Sequence, residues 1–298
     1  MAVAEPIQHR QKIGTVELAW FEWGRERRGH GPSLLLVHAT GFHARCWDPV
    51  IRRLGARHVI AVDQRGHGRS EKVPIRHWDV FGQDLVGLAR ALGLREVVGV
   101  GHSMGAHALV DAAAAYPDPL RRLVIIDPVI ASPDEYGVGG WTVTMPGGEP
   151  HPTAKRKRHF ASPEAMIERF RDRAPYAVFT EEALRAYCTH GLLPVEGGGY
   201  ELACPPELEA SVYMTSRTNP GVHDSIGALD LPVLVLRAKL PPAERTVMDF
   251  SSSPTWPGLA GAFRHGREIH FPEHTHFLPM EIPDRIAELI LGEAREAA

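Results

Sequence analysis

The amino-acid sequence predicts an α/β fold in which a mostly parallel, doubly wound sheet carries an antiparallel N-terminal edge and a helical insertion. Three observations lead there. Short unbroken runs of branched apolar residues recur with helical segments between them, the opening stretch alternates apolar with polar residues, and the strand rhythm stops once and resumes.

The runs occupy residues 34–37, 59–62, 97–100, 123–126 and 233–236. Consecutive apolar residues suit a strand covered on both faces, because successive side chains point to opposite sides and each needs a dry neighbour. Such strands read as parallel, with helical crossovers between them. Over residues 12–23, Val16, Leu18 and Trp20 alternate with polar residues instead, as in an edge hairpin with one wet face. Between Asp127 and Leu231 the strand rhythm stops: a Gly/Pro-rich stretch over 137–152 leads into helical patterns at 164–172, 181–188 and 207–213. The expected division is a core formed by residues 1–130 and 216–298, with a helical cap inserted over 131–215.

The chain has 298 residues, 44% hydrophobic and 23% charged, the ordinary balance of a folded protein with a sizeable core. A net charge of -3 supplies no field favouring nucleic acid or an anionic membrane. The basic run over 155–159 reads as a solvated face without a function. The first residues lack a basic start and an apolar stretch, and no segment approaches the ~20 apolar residues of a spanning helix, so a cytoplasmic protein without a membrane span is expected. Cys46, Cys188 and Cys204 are odd in number and far apart, which argues against a disulfide framework and agrees with a reducing compartment. Among the 17 histidines, His270, His274 and His276 are spaced as on one strand face, but no HExxH-like frame accompanies them. No metal and no cofactor is expected.

The most informative segment is Gly101-His102-Ser103-Met104-Gly105, which follows a strand-like run and precedes an apolar helix. A strand, then GxSxG, then a helix is the context of a nucleophile elbow, where small residues let a sharp turn close against its neighbours. A serine hydroxyl is a poor nucleophile unless a base takes its proton, and the base needs a carboxylate to hold its tautomer.

The chain resembles the α/β-hydrolase superfamily well beyond this turn. Residues 34–42 (LLLVHATGF) are similar to the strand that ends in the family's oxyanion turn, 61–70 (AVDQRGHGRS) to its DxRGHGxS loop, and 276–283 (HFLPMEIP) to its terminal histidine motif. The resemblance implies an α/β-hydrolase fold with Ser103 as nucleophile and His276 as base, favoured over His274 and His102. It implies oxyanion donors at the N–H groups of Met104 and Thr40, with Gly41 as the alternative to Thr40, since Ala39 stands where the family commonly has glycine. The Asp63 loop is expected to be structural, with Asp63 and Arg65 tying strand ends together. The cap sequence over 185–192 and 201–210 is similar to caps of bacterial hydrolases and of fungal relatives including a peroxisomal lipase.

The acid departs from the family's commonest pattern. After the strand at 232–237 the family usually carries an aspartate, but Pro241 stands there. Asp127, at the end of the strand over 123–126, is where some members place their acid, and it is favoured. Glu244 and Asp249 are the alternatives.

A serine hydrolase of short to medium carboxylic esters is the function expected, acting on a small molecule through a Ser-His-Asp triad. Substrate contacts are expected from Phe42, His102, Trp141, Tyr176 and Phe277. C–C bond, lactone or thioester hydrolysis by the same triad is one alternative, and a non-catalytic small-molecule receptor on the same fold is another. Ser103 disfavours epoxide and haloalkane hydrolysis, whose enzymes in this superfamily use an aspartate nucleophile.

Overall fold

The computed structural model describes residues 5–137, 139–242 and 249–292, with residue 146 described by its backbone alone. The strands are β1 (Ile7–Ile13), β2 (Val16–Trp23), β3 (Ser33–Val37), β4 (Val59–Val62), β5 (Val97–His102), β6 (Leu120–Ile126), β7 (His159–Phe160), β8 (Leu192–Pro194), β9 (Tyr200–Leu202), β10 (Val233–Ala238) and β11 (Gly266–Phe271). The helices are α1 (Asp48–Ile51), α2 (Asp79–Ala91), α3 (Met104–Ala115), α4 (Pro163–Phe170), α5 (Glu181–His190), α6 (Pro206–Met214), α7 (Val222–Ala228), α8 (Leu259–Ala262), α9 (Leu278–Glu281) and α10 (Pro283–Leu291). Among the described residues no helix is long and apolar enough to cross a membrane.

The large sheet has the order β1-β2-β4-β3-β5-β6-β10-β11. The hairpin β1–β2 and the pair β2–β4 are antiparallel, and every pairing from β4 to β11 is parallel. The unbroken apolar runs have a simple cause in this layout. Leu34 and Leu36 enter the cluster packed under α10, whereas Leu35 and Val37 enter the opposite cluster under α2 and α3. Val124 and Ile126 likewise oppose Leu123 and Ile125, so each strand is dry on both faces.

The segment between β6 and β10 holds α4 to α7 and a small antiparallel sheet of order β7-β9-β8. The expected helices are present, with α4 ending at Phe170, but the small sheet is an addition to the expected pattern. Its strands are two or three residues long, too short to carry an alternation. One apolar cluster joins this segment to the main body, running from Phe160, Phe179 and Tyr187 to Phe42, Phe277 and Met280.

Strand β11 ends at Phe271, so His270 lies in it and His274 and His276 lie in the loop that follows. Two corrections concern side chains away from the strands. Arg65 pairs through two hydrogen bonds of 2.6 Å with Asp84 on α2, and not with Asp63. Asp63 itself is dry and accepts the backbone N–H groups of Ala44 and Arg69, each at 2.7 Å. Burial raises its carboxyl, and these two donors oppose the rise. Gly68 is required here because a Cβ would collide with the Asp63 carboxylate, and its φ is 51°. The second correction, at Arg156 in the basic run, belongs with the site.

Asp63→Ala would leave two buried N–H groups without an acceptor, each orphan costing about 1–3 kcal/mol. A stability loss of about 2–5 kcal/mol is expected, read as a lower urea midpoint with an unchanged slope. A midpoint within error of wild type would show that the loop does not depend on this carboxylate.

Candidate active site

The residues singled out in the sequence converge at the carboxyl ends of the parallel strands, the edge of an open α/β sheet where ligands bind. Thr40 follows β3, Ser103 follows β5, Asp127 follows β6 and His276 follows β11.

Ser103 has φ 59° and ψ −119°, a conformation rarely adopted by a residue with a side chain. The turn is over-determined by its surroundings. Ser103 N–H donates to Ile126 O at 2.9 Å, and its carbonyl caps the start of α3 by accepting from Ala106 and His107. A Cβ at Gly105 would collide with the carbonyl of Val37, and one at Gly101 would stand 2.6 Å from Ala106 Cα. Both glycines therefore permit a close approach between strand, turn and helix.

His276 Nε2 lies 2.9 Å from Ser103 Oγ, and His276 Nδ1 lies 2.6 Å from Asp127 Oδ2. With Nδ1 protonated toward the carboxylate, Nε2 is left to accept the serine proton. Asp127 is fully buried, and its φ of 44° turns the side chain off the end of β6. Its other oxygen accepts from Ala238 N–H at 2.9 Å, Ser253 Oγ at 2.5 Å and Thr255 Oγ1 at 3.3 Å. Asp249 instead accepts from the backbone and hydroxyl of Ser251. Glu244 lies outside the described residues.

Ser253 and Thr255 are site residues that the sequence reading missed. Their only sequence signal is a Ser/Thr cluster after the apolar run of β10, which reads equally well as a turn.

The loop after β3 is pinned from behind. His38 Nδ1–H donates to Ala39 O at 2.7 Å and its Nε2 accepts from Gln64 N–H at 3.0 Å, with burial lowering its pKa to about 4. Thr40 faces the cavity beside Ser103, and its hydroxyl points to Met104 Sδ at 3.5 Å. Among the described residues no acceptor bonds the backbone N–H of Met104, at the first turn of α3, or of Thr40. A Cβ at Gly41 would stand 2.5 Å from Glu209 Oε1, so the turn passes close to that side chain.

A cavity of about 320 Å³ opens at Ser103. Phe42 and Phe277 line it, with Trp78, Tyr213, Phe250 and Arg217 among the other walls. Three expected contacts are elsewhere. His102 is buried behind the site, donating from Nε2 to His276 O at 2.8 Å, and burial followed by the nearby His276 holds its pKa well down. Trp141 is 47% exposed, with its indole N–H on Glu135 O. Tyr176 stacks on Phe170 and joins a buried polar cluster.

Arg156 is the centre of that cluster, which corrects the reading of its basic run as a solvated face. Its guanidinium pairs with Glu209 and donates to the hydroxyls of Tyr176 and Tyr187, each at 2.9 Å. Burial opposes its charge, but Glu209 and the tyrosines outweigh that and hold its pKa above the ordinary arginine value. The charged pair between Arg156 and Glu209 of α6 thus stands against the Gly41 turn.

Comparison with known proteins bears on the family and the fold. The profile of the alpha/beta hydrolase family matches residues 34–289. The chain is 40% identical over 124 residues to a 2-(acetamidomethylene)succinate hydrolase of Mesorhizobium japonicum, covering 41% of this chain and 42% of that protein. It is 30% identical over 173 residues to the sn-1-specific diacylglycerol lipase ABHD11 of Mus musculus, covering 56% and 53%. The matches thus span about half the length of these relatives, or less. A crystal structure of E-2-(acetamidomethylene)succinate hydrolase superposes with a TM-score of 0.71 at 25% identity, covering 96% of this chain and 98% of that one.

Removing one partner of the Arg156–Glu209 pair strands a charge in a poorly solvated place. Glu209→Gln is expected to cost about 3 kcal/mol, and Glu209→Gln combined with Arg156→Met less than the sum of the single changes. Urea denaturation of the three variants checks this, and strict additivity would mean that the two side chains do not act as a pair.

Proposed function

The chain belongs to the alpha/beta hydrolase family, and on that premise we propose that it is a serine hydrolase cleaving carboxylic acyl bonds through an acyl-enzyme on Ser103. The observation that carries this is the hydrogen-bonded line from Ser103 Oγ through His276 to a dry, fully bonded Asp127. It supports turnover over the receptor reading, because Asp127 supplies the carboxylate that is absent at Pro241.

In this mechanism Ser103 Oγ attacks the substrate carbonyl carbon while its proton passes to His276 Nε2. The carbonyl oxygen becomes an oxyanion and accepts from the N–H groups of Met104 and Thr40, donors that need no reorganisation because the elbow and the β3 loop already hold them. Asp127 stabilises the imidazolium without taking its proton. The leaving group departs with the proton from His276, leaving an ester on Ser103. Water, deprotonated by the same ring, then attacks that ester, and the ring returns the proton to Ser103 Oγ as the carbon–oxygen bond breaks and the acid is released.

In the same reading residues 131–215 act as a cap, and the walls around Phe42, Phe250 and Phe277 hold the acyl group. Burying each additional methylene there contributes about 0.8 kcal/mol, roughly a fourfold gain in kcat/KM until the cavity is full. Short to medium carboxylic esters are the expected substrates. The names of the relatives, a substituted succinate hydrolase and a diacylglycerol lipase, support hydrolysis without choosing between an amide-like and an ester bond.

Hydrolysis of p-nitrophenyl esters of increasing chain length tests the reading. Ser103→Ala is expected to lose at least about 1,000-fold in kcat and to abolish labelling by a fluorophosphonate. Asp127→Asn is expected to lose about 100- to 10,000-fold in kcat with labelling slowed in parallel. Near-wild-type turnover by Asp127→Asn, with loss in Asp249→Asn, would reassign the acid. Wild-type protein inert to both esters and fluorophosphonate would sink the hydrolase reading.

A further inference from the structure

Resting on the acyl-hydrolase reading, we infer that Arg217 recognises a carboxylate on the substrate, so that the site takes half-esters or half-amides of short dicarboxylic acids. The starting observation is a mismatch of charge. Among the described residues lining the cavity, Arg217 is the only arginine or lysine, and no aspartate or glutamate joins it there.

Among the described residues the other poorly exposed guanidinium groups are all provided for. Arg45 pairs with Asp48, Arg65 with Asp84, Arg156 with Glu209 and Arg237 with Glu268. Arg69 and Arg122, which have no carboxylate, donate to the backbone carbonyls of His190 and Ile290. Arg217, half-buried, has neither: among the described residues its side chain makes no ion pair and no hydrogen bond. It is held by a different contact, with its guanidinium carbon 5.6 Å from the centroid of the buried Tyr136 ring. Its backbone is fixed as well, since Arg217 O accepts from Trp141 N–H at 3.0 Å.

A ring contact positions a guanidinium while leaving its N–H edge unbonded, and five donors in a rigid fork match a carboxylate in two-point geometry. Partial burial of an unpaired cation is unfavourable, and a carboxylate-bearing ligand relieves that cost on binding. Arg217 and Ser103 line the same cavity of about 320 Å³, so a substrate held at both carries its carboxylate and its reacting carbonyl within one short acyl chain. A neutral acyl chain of the same length gains the wall contacts but leaves the guanidinium unmatched, which is the kind of difference that separates substrates strongly.

The test compares mono-p-nitrophenyl glutarate with p-nitrophenyl valerate, two esters of the same acyl length. In wild type the kcat/KM ratio of the anionic to the neutral ester is expected to exceed one. In Arg217→Met it is expected to fall at least tenfold. Should that variant fail to fold, Arg217→Gln carries the same comparison. A ratio unchanged by either substitution overturns the inference. A second arm does not depend on turnover: glutarate binding to Ser103→Ala, measured by calorimetry, is expected to weaken at least tenfold when Arg217→Met is added. Equal binding by the two proteins overturns the inference. Glutarate bound through Arg217 by a protein that hydrolyses neither ester would support anion recognition while removing the acyl-transfer reading. Hydrolysis of both esters with a ratio indifferent to Arg217 would do the reverse.

Discussion

A carboxylate with no water around it must find its donors in the chain, and at Asp127 they come from three separate places. The end of β10 supplies Ala238 N–H, the stretch before α8 supplies the hydroxyls of Ser253 and Thr255, and the loop after β11 supplies His276 Nδ1. These places are near one another because β6, β10 and β11 are adjacent in the sheet. One buried side chain therefore fixes the relative positions of the last third of the chain and the serine turn. The positive φ at both Ser103 and Asp127 fits this picture, since each is strained locally and held by bonds from outside its own loop.

Dryness around the site also sets the charge of its histidines. Burial lowers His38 to about 4 and His67 to about 3, and holds His43 and His102 well below the ordinary value. At neutral pH these rings are uncharged, so each can act as a fixed donor or acceptor with one tautomer. His102 is the instructive case. A neutral ring beside His276 anchors the backbone of its loop and does not repel an imidazolium formed there.

The parts of this fold that are legible in the sequence are those written in neighbouring residues. Strands dry on both faces leave apolar runs such as 34–37, and the Ser103 turn leaves two glycines at fixed offsets. Pairings between distant residues leave no such trace. Arg156 sits in a basic run that reads as solvated, yet its partner Glu209 lies 53 positions away. Trp78 opens α2 and walls the cavity only because Val212 O and Thr218 Oγ1 bond it from the far side of the inserted segment. The choice among Asp127, Glu244 and Asp249 is of the same kind. Spacing alone does not decide it, because the answer depends on which strand end lies beside His276.

The proposed placement of the acid at the end of β6 has a consequence for how this protein can diversify. Residues 239–252 then contain no member of the Ser103–His276–Asp127 line, although Phe250 and Pro254, at and just past their end, wall the cavity. In a layout with the aspartate after β10, every insertion or deletion there would move the proton-relay machinery. Here the described ends of that stretch hold the histidine loop from outside: Phe250 O accepts from His276 N–H at 3.2 Å, and Lys239 N–H donates to His274 O at 3.0 Å. Side-chain changes that keep these backbone bonds, at the cavity wall Phe250 above all, are therefore the natural way to graft new selectivity, by design or by descent.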